Sequence, residues 1–243
     1  MKQLVVGDIH GCYAELLALI DKAGLGEGDQ IIALGDIVDR GPEPVTVVDF
    51  FRHTANTRSL MGNHERKHLR SHYGLLRPAL SQVITRWQYK QAGADYDAAA
   101  AFFATFPLYV ELPQAILVHA YLEPDLPLDQ QRPEVLVGHI SGDHYLQRTY
   151  DRPWYELYTR AKPVIVGHHN YTGTDQPFIY RDHIFALDTG ACHGLALTGL
   201  LLPEFRLLSV PARRDHWHTL RLAYSDMIKK TPDTRAVSGV LKR

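Results

Sequence analysis

Five short apolar runs in this chain each end on a residue that carries a metal-donor atom, and four of them place a glycine directly before it. The runs close as Gly7-Asp8, Gly35-Asp36, Gly62-Asn63, Val118-His119 and Gly167-His168. Buried strands that repeatedly deliver a polar side chain at one end predict an α/β fold with its site along a sheet edge. The intervening segments agree. Residues 13–23 carry apolar side chains at 16, 17, 20 and 23, which predicts an amphipathic helix. Residues 44–53 read as a second helix, with Pro44 near its start, where a missing N–H costs nothing. Strands are predicted at 3–6, 30–34, 58–61, 107–112, 114–118 and 163–166.

The span 66–106 turns helical in composition and reads as a helical insertion beside the site. The Pro-rich stretch 123–133 reads as loop, and 154–160 as a short helix. Runs at 179–180, 184–187, 196–202 and 206–210 read as closing strands of a second sheet. With no repeat or linker, the expectation is a single domain over 1–243, holding the insertion at 66–106 and a basic C-terminal segment at 210–243.

Composition narrows the function. The 26 Lys+Arg against 27 Asp+Glu leave a net charge of −1, without the basic footprint of a dedicated nucleic-acid binder. Residues 210–243 are the local exception, with eight Lys/Arg and three Asp/Glu, and read as a solvated terminus. Two cysteines are too few for a disulfide framework, and Met1–Asp8 has no signal-peptide character, so a cytoplasmic protein without a membrane segment is expected. The 14 histidines stand out, because imidazole is both the commonest metal ligand and a general acid or base.

The strand-end residues fall in G-D-I-H-G (7–11), G-D-I-V-D-R-G (35–41), G-N-H-E (62–65), V-H-A (118–120) and G-H-H-N (167–170). Successive donors are 28, 27, 56 and 49 residues apart, enough each time for a strand and its return. Carboxylates, imidazoles and one amide together suit Mn²⁺, Fe²⁺ or Zn²⁺ rather than Ca²⁺. With His10, which shares the first segment with Asp8, the donors number six; without cysteine they are too many for one tetrahedral zinc and fit two metals sharing a carboxylate. Such a pair can activate a common water for in-line phosphoryl displacement. Taken singly, Asp8, Asp36 and Asn63 read as turn formers before or after glycine. Arg40 taken alone reads as a helix cap or a partner for Asp39. The histidines at 53, 68, 72, 139, 144, 183, 216 and 218 read as surface or packing residues, and Cys12 as packing.

The ordered set G-D-x-H-G, G-D-x-x-D-R-G and G-N-H-E, followed by V-H-A and G-H-H, resembles the calcineurin-like metallophosphoesterases. Within them it is similar to the phosphoprotein phosphatase branch, with its bacterial serine/threonine phosphatases and symmetrical diadenosine tetraphosphatases. The resemblance runs from about Val5 to about Gly199. It implies two stacked mixed β-sheets flanked by helices, with two divalent ions at their common edge, manganese first and iron, zinc or magnesium as alternatives. It implies Asp8, His10 and Asp36 at the first metal, Asp36 bridging, and Asn63, His119 and His168 at the second. His64 would then protonate the leaving oxygen, Asp39 would orient it, and Arg40 would grip phosphate. Attack would come from a metal-bridging hydroxide, without a covalent intermediate.

Departures from the family pattern bear on the substrate. Tyr121 stands where H-A-G has its glycine, and His193 occupies an often aromatic place in D-T-G-A-C-H-G (188–194). Both read as substrate contacts; His169 reads equally as a contact or as structural. The region 135–152 lacks the W-x-R segment, which leaves Arg148 or Arg152 as a second phosphate arginine. The expected activity is dimetal hydrolysis of phosphomonoesters, most like a serine/threonine protein phosphatase. The alternatives are a symmetrical diadenosine tetraphosphatase or other nucleotide phosphoesterase, and a catalytically silent metal-binding protein. The expected partner is a phosphorylated substrate, protein or nucleotide.

Overall fold

A computed structural model describes residues 1–230. The remainder of the basic C-terminal segment, 231–243, lies outside the described residues. In chain order the elements are β1 (Gln3–Val6), α1 (Tyr13–Ala23), β2 (Gln30–Ala33), α2 (Pro44–His53), β3 (Thr57–Ser59), α3 (Asn63–His72), α4 (Leu80–Ala92) and α5 (Tyr96–Phe103). They continue with β4 (Tyr109–Glu111), β5 (Ile116–Val118), α6 (Pro133–Leu136), α7 (Ile140–Thr149), α8 (Trp154–Leu157) and β6 (Val164–Val166). The last are β7 (Phe178–Tyr180), β8 (Ile184–Ala186), β9 (Ala196–Leu202), β10 (Arg206–Pro211) and α9 (His216–Lys230).

Two five-stranded sheets form, in the orders β10-β9-β1-β2-β3 and β4-β5-β6-β8-β7. Strand periodicity explains how they stack. Successive side chains on a strand point to opposite faces. Val5, Ile32, Leu117, Ile165, Phe185 and Leu200 therefore pack together between the sheets. Their neighbours Leu4, Val6, Ile31, Ala33 and Leu201 face the outer helices of the first sheet. Ile116, Val118, Val164, Val166, Ile184 and Ala186 face α6 to α8 across the second. Strands covered on both faces read as continuous apolar runs, which is how they appear in the sequence. The result is the expected α/β sandwich of two mixed sheets flanked by helices.

The structure corrects three details. Strands 196–202 and 206–210 were expected in the second sheet, but β9 pairs antiparallel with both β1 and β10 in the first. All seven residues of β9 are buried, so its apolar run fits the middle of either sheet and carries no sheet preference. In α1 the buried stripe is Leu16, Leu19 and Ala23, with Leu17 43% exposed, so the helix is rotated from the expected face. Segment 210–243, read as a solvated tail, includes helix α9, whose first residue His216 is buried against Glu15.

Strand direction places the chemistry. β1, β2 and β3 run parallel in one sheet, and β5, β6 and β8 run parallel in the other. The residues just beyond their C-terminal ends meet at one edge of the sandwich, the usual ligand position in α/β sheets.

Candidate metal and phosphate site

The turn after β1 carries Asp8 and His10, and the turn after β2 carries Asp36, Asp39 and Arg40. Asn63 and His64 open α3, while His119 and His168 follow β5 and β6. His10, Asp36, Asp39, Arg40 and His168 all have positive φ, between 47° and 68°. For side chains other than glycine this conformation costs about 1–2 kcal/mol each, and such strain concentrates at functional sites. Specific hydrogen bonds hold it here. The His10 N–H donates to the Asp36 carbonyl at 2.8 Å, and the His168 N–H donates to Asp8 Oδ1 at 2.8 Å.

Glu65 fastens the β2 turn to the start of α3. Its Oε2 accepts the N–H groups of Asp36 (2.9 Å) and Gly62 (3.0 Å), and its Oε1 those of Ile37 (2.9 Å) and Val38 (3.3 Å). Two glycines are required for close approach. A Cβ at Gly62 would overlap the Asp36 carboxylate, and one at Gly138, where φ is +64°, would meet the His168 ring.

Asp36 lies between two groups of donors. Its Oδ2 is 3.6 Å from His10 Nε2, and its Oδ1 is 3.5 Å from His119 Nε2. Asp8 Oδ2 is 3.9 Å from His10 Nε2. Candidate ligand groups are accordingly His10 with Asp36 and His64 on one side, and Asp36 with His119 and His168 on the other. Tautomers are fixed from behind. His10 Nδ1 faces the Val38 carbonyl and His119 Nδ1 the Leu34 carbonyl, each at 2.8 Å, so each donates there and turns an Nε2 lone pair inward.

Ionisation follows from burial and neighbours. Burial works against the Asp36 charge, but the imidazoles of His119, His64 and His10 outweigh it and hold the carboxyl far below its ordinary range. Burial, with Asp188 and Asp36 nearby, pushes Asp8 up. Burial and Asp36 also push Asp188 up. Burial lowers His10 and His119 and takes His168 down to about 3, so these rings are neutral donors near pH 7.

This set fits divalent cations. Three buried carboxylates crowd together, and neutral imidazole lone pairs point among them. The Asn63 amide can meet this cluster in two orientations. Turned with nitrogen inward it donates to both Asp36 oxygens, at 2.9 and 3.1 Å, and its oxygen accepts from Lys67 Nζ at 3.2 Å. Turned the other way, its oxygen faces the Asp36 oxygens, acceptor to acceptor, a contact that a cation between them would relieve. Arg40 occupies the same space, with Nη1 3.1 Å from His10 Nε2. Burial opposes its charge, yet Cys192, Asp36, Asp8 and Asp39 keep the guanidinium protonated.

Beside the carboxylate cluster, His64 Nδ1 donates to Asp39 Oδ2 at 2.5 Å, while its Nε2 is buried with no hydrogen-bond partner among the described residues, 3.9 Å from Asp36 Oδ2. Asp39 is fully buried and receives three further donors: Gln82 Nε2 on Oδ2 (2.5 Å), and Thr85 Oγ1 (2.7 Å) and His68 Nε2 (2.9 Å) on Oδ1. Burial is outweighed by these partners, His68 foremost, and the carboxyl stays ionised well below its usual range. An ionised carboxylate only accepts, so both imidazoles donate to it.

Two residues of this neighbourhood were not singled out from sequence. Asp188 follows β8 as Asp8 follows β1, so the strand-end rule already pointed to it. His68, read as surface or packing, lies one helical turn after His64, the spacing that puts both on one face. Of the substrate-contact residues, Tyr121 stands edge-on to His168 with ring centroids 5.4 Å apart. His193 is exposed on a short 3-10 turn, Ala191–His193, in the field of Arg40 and Asp188. Arg148 is exposed on α7, and Arg152 lines a cavity shared with Tyr121 and His169.

A two-sheet sandwich with paired donor clusters at its edge defines a metal-dependent phosphoesterase class. The profile of the calcineurin-like phosphoesterases matches residues 1–186, and the chain belongs to that family. Among its relatives, the asymmetrical bis(5'-nucleosyl)-tetraphosphatase PrpE of Halalkalibacterium halodurans is 29% identical over 234 residues, 86% of this chain and 94% of the relative. The symmetrical bis(5'-nucleosyl)-tetraphosphatase of Shewanella baltica is 29% identical over 178 residues, 69% of this chain and 62% of the relative. Among solved structures, a serine/threonine phosphatase from Saccharomyces cerevisiae shares the fold at TM-score 0.54 and 17% identity, covering 87% of this chain and 79% of its own.

Proposed function

We propose that this phosphoesterase hydrolyses dinucleoside tetraphosphates, cutting them asymmetrically. The observation that carries this is the near end-to-end match to a relative of that name, 86% of this chain against 94% of the relative. The symmetrical relative matches over less of both chains. The phosphoprotein reading drawn from G-N-H-E and G-D-I-V-D-R-G therefore becomes the second reading, supported by the Asp39, Arg40 and His64 arrangement.

In this reading Asp8, His10, Asp36, Asn63, His119 and His168 hold two divalent ions, manganese by preference. When bound, the ions supply an activated water and positive charge facing the phosphate oxygens. Arg40 binds a phosphate oxygen with its guanidinium, whose planar fork suits that geometry. His64 gives a proton to the leaving oxygen from Nε2, and Asp39 fixes the ring through Nδ1. Lys67, with its Nζ 3.2 Å from the Asn63 amide, offers a polyphosphate a cation there, while Arg66 is paired with Glu134 at 2.7 Å.

The test is product analysis on Mn²⁺-loaded protein. AMP with ATP from diadenosine tetraphosphate supports the asymmetrical reading, and ADP alone moves the cut to the centre. Phosphate from a phosphoserine peptide with an intact dinucleotide overturns the proposal in favour of the second reading.

A further inference from the structure

A cavity of about 540 Å³ lies beyond Tyr121, between α7 and the segment leading into α8, and the chemistry above makes no use of it. Six aromatic rings line it: Tyr121, Tyr150, Trp154, Tyr155, His169 and Tyr171. Tyr121 links it to the catalytic edge, since the same ring stands against His168. The rings are fixed by one another. Trp154 Nε1 donates to the Tyr171 hydroxyl at 3.3 Å, and Tyr171 stacks on Phe178 with centroids 5.0 Å apart. His169 and Tyr155 meet Tyr171 edge-on at 4.7 and 5.7 Å.

The volume suits a small-molecule moiety, and the polar lining limits its chemistry. Asp143 and Asp151 add two carboxylates to the wall, which repel a phosphate chain and accept hydrogen bonds from amino groups. Arg152 lines the same cavity and is exposed, with Asp151 4.0 Å from its Nε. Flat, uncharged and amino-bearing describes a purine base. Aromatic rings bind such bases by stacking, which alanine scans value at about 1–3 kcal/mol per base.

We infer that this cavity binds one nucleobase of the dinucleotide, with Tyr121 at the passage between base and phosphates. The inference rests on the proposed nucleotide substrate and adds a subsite that sets its class. Packing alone would bring these rings together too, but would fill the space between them.

Two arms test it. In the first, Mn²⁺- and Mg²⁺-loaded wild-type protein receives adenosine, which has no phosphate. The base-proton resonances should broaden more with paramagnetic Mn²⁺ than with Mg²⁺, and calorimetric affinity should fall about tenfold in Tyr121→Leu and Tyr155→Leu. In the second, the kcat/KM ratio of diadenosine tetraphosphate to p-nitrophenyl phosphate should fall tenfold or more in the same variants. Equal adenosine affinity in all three proteins, or no Mn²⁺-specific broadening in the wild type, overturns the subsite even where the dinucleotide is cleaved. Adenosine binding that the variants weaken, with no dinucleotide cleavage, keeps the subsite and overturns the proposed activity instead.

Discussion

His68 donates from Nε2 to Asp39 Oδ1 at 2.9 Å, on the oxygen that His64 does not use. One buried carboxylate thus aligns two imidazoles from the same helix face. His68 Nδ1 in turn meets the Tyr96 hydroxyl at 2.7 Å, and Arg86 Nε donates to that hydroxyl at 3.2 Å. The helical insertion therefore reaches the proposed acid through Asp39.

His68→Leu should lower kcat about tenfold with little change in KM, a fraction of the 10²–10⁴ that general acid catalysis supplies. The loss should be deeper for phenyl phosphate, whose more basic phenoxide needs a proton to leave, than for p-nitrophenyl phosphate. His68→Asn, which keeps a donor for Asp39, should recover part of it. An equal loss on both substrates, tracking the melting temperature, would mean that His68 only supports the fold.

The sandwich was legible because its strands are short apolar runs punctuated by polar ends, and the structure converges those ends from both sheets. What escaped has physical causes. Helix α7 buries only Gly142 and Leu146 of ten residues, so it leaves almost no apolar period to read. The all-buried β9 gives no clue to its sheet, since pairing partners far apart in sequence decide that. Asp188 and His68 obeyed rules already in use for their neighbours, the strand end and the helical turn. The aromatic cavity was illegible because its rings come from three separated segments, and no local pattern joins Tyr121 to Tyr155 and Tyr171.

Glu65 links the site to the fold through four backbone N–H groups, two on each oxygen. In Glu65→Gln the amide nitrogen replaces one oxygen and faces two donors. Leaving a buried donor unmet costs about 1–3 kcal/mol, and in a chain this size each kcal/mol lowers Tm by about 2–4 °C. A drop of roughly 4–8 °C by calorimetry is expected, together with weaker Mn²⁺ binding, because Asp36 is held by the same contact. An unchanged Tm would remove Glu65 from that role.

The carboxylates of Asp8, Asp36 and Asp188 repel one another in a buried setting. Chelation by EDTA should abolish activity and lower Tm, and Mn²⁺ at about 100 times its Kd should restore about 2.7 kcal/mol. Asp8→Asn separates charge relief from metal binding. Its metal-free form should melt above the metal-free wild type, while its Mn²⁺-induced rise should shrink. A metal-free variant that melts lower than the wild type would mean that Asp8 stabilises the fold through its hydrogen bond to His168 more than its charge disturbs it.

Glu15 anchors the start of α9. Its Oε1 accepts the Arg213 N–H and faces His216 Nε2, each at 2.9 Å. Burial opposes the charge, but the His216 and Arg213 hydrogen bonds prevail and bring the carboxyl down to about 2 from 4.5. A folded-state pKa below the unfolded one contributes stability above pH 4.5 and loses it as pH falls toward 2. Discounted for solvent screening, the contribution at pH 7 is about 2 kcal/mol. Glu15→Gln should therefore unfold in less urea than the wild type at pH 7, and the two midpoints should converge between pH 4.5 and 2. A gap that stays constant down to pH 2.5 would assign the pair a packing role and leave the ionised carboxylate no part in holding α9.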